Sequence, residues 1–103
     1  MDKREAIAKV KEYGILLKKY IPFEKLYLFG SYAKDTNRLN SDIDVAIVVD
    51  KLEGDFFSIL PLLWKLRRQV DDRIEPILIE KDKDYSGFLI EIQRNGIEIE
   101  CSS

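Results

Sequence analysis

The sequence predicts an α/β fold, a mixed β-sheet of about four strands with helices packed on it. Short β-rich apolar runs alternate with segments of helical periodicity, in the order α, β, short α, β, α, β, α, β. The 103 residues, 46% of them apolar, suffice for one compact core, so a single domain over residues 1–103 is expected. No apolar run approaches the ~20 residues that a spanning helix needs.

Asp2 followed by Glu5 has the spacing of a capping box, and Ile7, Val10, Leu17 and Ile21 recur at helical intervals until Pro22, which predicts a first helix. Gly14 inside it costs about 1 kcal/mol relative to alanine and marks a place for a kink. Leu26 to Phe29 is a short strand closed by Gly30-Ser31, and Ile43 to Val49 is a second, β-rich strand. The polar stretch between them has room for a short helical turn after Ser31 and then a loop, and function is expected there. Asp55 to Val70 is dense in large apolar residues and ends in Lys65-Leu66-Arg67-Arg68, charges that suit a helix C-terminus. Pro61 lacks a backbone donor, which leaves the start of the regular helix open between Asp55 and Pro61. Arg73 to Glu80 predicts a strand, Asp84 to Asn95 a helix stopped by Gly96, and Ile97 to Glu100 a last short strand.

Composition removes whole classes of chemistry. The chain has no histidine, so imidazole serves neither as base nor as ligand. Its one cysteine, Cys101, excludes an internal disulfide and a cysteine-based zinc site, and a reducing cytoplasm is the expected setting. The opening Met1-Asp2-Lys3-Arg4-Glu5 starts a charged amphipathic segment rather than a signal peptide, so no membrane association is expected. A formal charge of −2 offers no field to draw the molecule onto nucleic acid or an anionic membrane. Any polyanion must be held locally, and catalysis must rest on carboxylates.

Gly30-Ser31 ends an apolar strand and begins a helical turn, where missing bulk and free backbone N–H groups suit a phosphate. Alone, the pair is a weak signal, better explained as a plain strand-to-helix turn. Asp42 and Asp44 add the decisive element. Side chains alternate along a strand, so both carboxylates project from one face while Ile43 and Val45 face the other way. Ala46 and Val48 continue the acids' face as apolar residues, which puts the pair at the mouth of a buried strand rather than on a solvated face. Two acids there repel each other unless a cation lies between them, and hard, oxygen-seeking Mg²⁺ fits. A calcium loop beginning at Asn40 fails, because Val45 stands where its glycine is needed and Lys51 where its bidentate glutamate is needed.

Gly30-Ser31, ten residues, then Asp42-Ile43-Asp44, with a strand on each side, resembles the motif of the minimal nucleotidyltransferases, within the polymerase-beta-like nucleotidyltransferase superfamily. The order of elements resembles that nucleotidyltransferase fold over nearly the whole chain. The resemblance implies that Asp42 and Asp44 bind Mg²⁺ with a triphosphate, ATP or another nucleoside triphosphate, and that Gly30 and Ser31 cradle its phosphates. A third acid is expected from a neighbouring strand, where Glu75 stands, with Asp71 or Asp72 as substitutes. Lys34 and Arg38 are the loop cations available to neutralise phosphate, and Glu75 or Asp44 is the group available to deprotonate an acceptor. Two positions depart from the family: Tyr32 where a basic residue is common, and Asp35 where glycine is common.

Minimal domains of this family commonly act as antitoxins that place AMP on a tyrosine of a helical HEPN toxin, and this chain's size matches them. Phe56, Phe57, Ile59, Leu60, Leu62, Leu63, Trp64 and Leu66 exceed one helical stripe, so either some face a partner or the helix is buried on two sides. A homo-oligomer or hetero-oligomer fits such a surface. The rival expectation is a non-catalytic module that keeps the fold and neutralises its partner by contact.

Overall fold

Asp2 caps the first helix: its backbone is extended and its Oδ1 accepts the Glu5 N–H at 2.8 Å, satisfying a donor that a helix N-terminus leaves unpaired. The computed structural model describes residues 1–51, 56–83 and 86–101, without the side chains of Phe56 and Phe57. Helix α1 runs from Lys3 to Leu17 and buries Ala6, Val10, Tyr13, Gly14 and Leu17. Ile7 is only half-buried, and Ile21 lies beyond the helix end. α1 runs on through Gly14 without a break. A β-carbon there would collide with Cys101 Sγ and Leu26 Cδ2, so the glycine lets the helix lie directly on the sheet.

The sheet holds β1 (Lys25–Phe29), β2 (Ile43–Val49), β3 (Ile74–Glu80) and β4 (Ile97–Glu98) in the order β3-β2-β1-β4. β1 pairs antiparallel with β2 and β4, and β2 pairs parallel with β3. A parallel pair needs a crossover, and α2 (Phe56–Arg67) supplies it. Pro61 is tolerated inside α2, whose regular part starts before it, at Phe56. The predicted helix starts at Asp55 and Asp84 lie outside the described residues. A 3₁₀ turn, Lys81–Lys83, and helix α3 (Phe88–Asn95) follow β3. Gly96 does stop α3, in extended rather than left-handed backbone. A β-carbon would press on the carbonyl oxygens of Ile92 and Leu28, so the glycine answers a need for space. β4 ends at Glu98 rather than Glu100, although the Ile99 N–H still reaches Leu26 O at 2.8 Å.

Strand alternation divides the core in two. Leu26, Leu28, Ile43, Val45, Ile47 and Ile74 pack under α1 and α2, together with Leu63 and Leu66. Tyr27, Ala46 and Val48 form the other face with Leu89 and Ile92 of α3. α3 lies over β1 and β4, and Ile77 and Ile79 of β3 remain half-buried, so this second face is open toward β3. The apolar surplus of α2 is largely absorbed by packing. Leu63 and Leu66 are buried, Ile59, Leu60 and Leu62 are partly so, and Trp64 is exposed with the Arg67 guanidinium 4.5 Å over its ring. Among the described residues, no helix is long and apolar enough to cross a membrane.

Candidate active site

At the end of β1 the chain turns through Gly30 at φ +76°, a backbone that side chains with a β-carbon rarely adopt. The Lys34 N–H then donates to Gly30 O at 3.1 Å and the Thr36 N–H to Ser31 O at 2.9 Å, which closes one helical turn. The leading amides of such a turn have no partners within it. Asp35 ends the turn at φ +59°, which explains why glycine suits this position; aspartate is among the few other residues that tolerate it. Tyr32 is fully buried in the core beneath α1 rather than turned to the phosphate side, so it takes no part in a basic contact there.

The acids come from the opposite strand. Ser41 closes the loop before β2, accepting the Arg38 N–H on its Oγ at 2.7 Å, and the Ile43 N–H binds Arg73 O at 2.8 Å. Asp42 is exposed at this entry and Asp44 half-buried two residues on. In the sheet, Asp44 lies between Phe29 on β1 and Glu75 on β3, its direct partners in register. All three project toward the face that α3 partly covers. A β-carbon on Gly30 would collide with Asp44 Oδ2, so the glycine makes room for this carboxylate as well as for the turn.

Burial, then Glu75, then Asp42 push the Asp44 pKa up to about 6. The two other acids are therefore close enough to be felt, and a cation would relieve that repulsion. Among the described residues, no three ligating side chains converge into a ready-made metal cage. Mg²⁺ does not need one: it binds through one or two carboxylates, with waters and substrate phosphates completing its shell. Hard oxygen donors around a carboxyl held above its usual range fit that ion.

Asp71 is engaged elsewhere. Arg73 holds it with Nη2 at 2.8 Å, Nε at 3.0 Å and the backbone N–H at 2.9 Å, and Lys9 pairs with it at 3.4 Å. These hydrogen bonds keep its carboxyl well below the usual range. Asp72 is exposed, and its carbonyl accepts from Arg67 at 2.6 Å. Of the three acids considered for the third position, Glu75 is the one set beside Asp44. Lys34 and Arg38 are exposed on the loop.

The family model for polymerase beta nucleotidyltransferases matches residues 9–103. The chain belongs to this nucleotidyltransferase family. Among solved structures it is similar to a candidate nucleotidyltransferase from Sulfolobus solfataricus, with 19% identity and a TM-score of 0.67 over 93% of this chain and 80% of that one. It is also similar to a toxin-antitoxin solved with AMP-PNP, with 25% identity and a TM-score of 0.66 over 92% and 74% of the two chains. The toxin-antitoxin MntA-HepT gives 21% identity and a TM-score of 0.62 over 92% and 72%. No curated protein sequence matches the chain.

Beside the acids, this nucleotidyltransferase has a hollow of about 170 Å³ lined by Phe29, Gly30, Lys34, Phe88, Glu91, Ile92, Asn95 and Gly96. Apart from Gly30 and Lys34, its lining carried no sequence signal. Phe88, Glu91, Ile92 and Asn95 do fall at helical spacing, but only the packing of α3 over β1 reveals which strand end they face.

Proposed function

We propose that this nucleotidyltransferase is an antitoxin that transfers AMP from ATP to a tyrosine hydroxyl of a HEPN toxin. The observation that carries the proposal is the register of β2 with its neighbours, which sets Asp44 beside Glu75 and against the bare α-carbon of Gly30. Asp42, Asp44 and Glu75 would hold Mg²⁺, which when bound would neutralise charge on the triphosphate and on the leaving group. The Gly30-Ser31 turn holds the phosphates with its free amides, and Lys34 adds a positive charge from the same turn. In the transfer, the tyrosine oxygen forms a bond to the α-phosphorus as the bond to pyrophosphate breaks. The tyrosine proton passes to Glu75 or Asp44. The half-open face toward β3 leaves the acids reachable by an acceptor carried on another protein, and similarity to toxin-antitoxin structures supports that partner.

The test is to incubate the protein with ATP, Mg²⁺ and its HEPN partner and to measure the partner's intact mass. A gain of about 329 Da per AMP is expected, absent with Asp44→Asn. Neutralisation of the toxin without an adduct would instead make the protein a contact-only antitoxin.

A further inference from the structure

The turn that leads into β3 is gripped from several elements at once. Asp71 accepts the Arg73 backbone N–H at 2.9 Å and Nε at 3.0 Å on one carboxylate oxygen, and Nη2 at 2.8 Å on the other, where Lys9 of α1 joins it at 3.4 Å. The Asp71 carbonyl accepts the Ile74 N–H at 3.2 Å. From the end of α2, Arg67 donates to the carbonyls of Asp72 at 2.6 Å and Ile74 at 3.1 Å. A carboxylate offers about four acceptor positions, so the Asp71 side chain, 11% exposed, is filled by these contacts and has none left for a metal ion.

What the grip fixes is the Arg73 peptide. Its carbonyl accepts the N–H of Ile43 at 2.8 Å, and Ile43 is the residue between Asp42 and Asp44. Ile43 and Ile74, both fully buried, are the first register pair of β2 with β3, and Asp44 with Glu75 is the next. The Arg73 bond is therefore the rung from which the acid pair is aligned. Asp44 is under repulsion from Glu75 and Asp42, so the acids by themselves push these strand ends apart, and the force that keeps them together must come from outside the site.

We infer that Asp71 is a positioning residue for the acids: by fixing the Arg73 carbonyl it holds the entry of β2 against the start of β3, and with it the spacing of Asp42, Asp44 and Glu75. The inference rests on the proposed role of those three acids in holding Mg²⁺. Groups that orient metal ligands without touching the metal change its affinity by roughly 10–100-fold when they are removed. Asp71→Ala takes away the whole grip. Asp71→Asn keeps an oxygen for the Arg73 N–H and Nε while losing the charge, so it separates positioning through the backbone from a field acting on the metal across space.

Two measurements on the full chain test this. The first is amide hydrogen exchange of Ile43 by NMR without metal, referred to Ile47 further along the same strand, because local loosening exposes Ile43 alone whereas loss of global stability exposes both. The second is the Mg²⁺ concentration at which ATP binding is half-maximal, by calorimetry. Asp71→Ala should speed exchange at Ile43 relative to Ile47 and raise the Mg²⁺ requirement, each by about tenfold, and Asp71→Asn should stay within about threefold of the parent. If Asp71→Ala does not fold, Arg73→Ala, which removes the guanidinium and keeps the peptide, must show the same selective loss at Ile43. Equal acceleration at Ile43 and Ile47 would reduce Asp71 to a support of the fold and overturn the assignment. So would an unchanged Mg²⁺ requirement, or an Asp71→Asn as impaired as Asp71→Ala. If the parent chain binds no ATP at any Mg²⁺ concentration, the proposed site itself is wrong and the role of Asp71 falls with it.

Discussion

Asp44 and Asp71 are both aspartates beside the sheet, yet their surroundings drive them in opposite directions. Arg73 and Lys9 stabilise the charge on Asp71, whose folded pKa is lowered, so its contribution is present at neutral pH and is lost as the pH falls. Asp44 is half-buried beside two more acids, and its folded pKa of about 6 stands above the ordinary 3.8. The native state therefore holds that proton more tightly than the unfolded chain does, and its stability declines as pH rises from about 4 to about 6. Partial exposure screens the effect to about 1 kcal/mol. In buffer free of divalent cations, Asp44→Asn should be more stable than the parent by about that amount at pH 7.5. The gap should close toward pH 4, and urea denaturation at the two pH values measures both. Equal stability at pH 7.5 would mean that the carboxylate is not under repulsion. The acidic pair itself was legible from strand alternation alone, since a spacing of two residues fixes one face. Glu75 was reached only through the family resemblance, with Asp71 and Asp72 left open, because nothing local to it states which residue of β2 it will meet.

At the level of elements, glycines and caps carry the information that periodicity lacks. Asp2 and the strand limits of β2 could be read directly, because a cap and a β-branched run act within a few residues. The role of Gly14 could not, since its reason lies at Leu26 and Cys101, far along the chain. Gly14→Ala would gain about 1 kcal/mol of helix propensity and lose more to the collision, so a net loss of about 1–3 kcal/mol is expected by chemical denaturation. A variant as stable as the parent would show that α1 can lift off β1 without penalty. Asp35 is the converse case. Its left-handed backbone accounts for the family's preference for glycine, from which this chain departs with an aspartate. Pro61 left the start of α2 open because a rule about interior proline competes with strong burial of Leu63 and Leu66, and burial prevails.

For the molecule as a whole, the alternation of elements sufficed to foresee a mixed four-stranded sheet, while the strand order and the position of α3 depend on contacts between distant segments. That order brings three carboxylates and the Gly30 turn to one end of one face. Triphosphate binding should consequently require a divalent cation, since bare phosphates approaching these acids meet repulsion. Thermal unfolding should move upward with ATP and Mg²⁺ together and remain in place with ATP and EDTA. An equal rise in EDTA would dissociate the acids from nucleotide binding. The pairing of Asp44 with Glu75 also bears on how the chain reaches its native state. β2 and β3 are joined through the α2 crossover, and apolar residues stand on both faces of each strand, so apolar contact alone discriminates weakly between neighbouring alignments. A slip of one residue would rotate Glu75 into the dry layer beneath α1 and α2, where an unpaired carboxylate costs several kcal/mol. The acid proposed for the site would thus also count against a misaligned sheet, before any substrate is met.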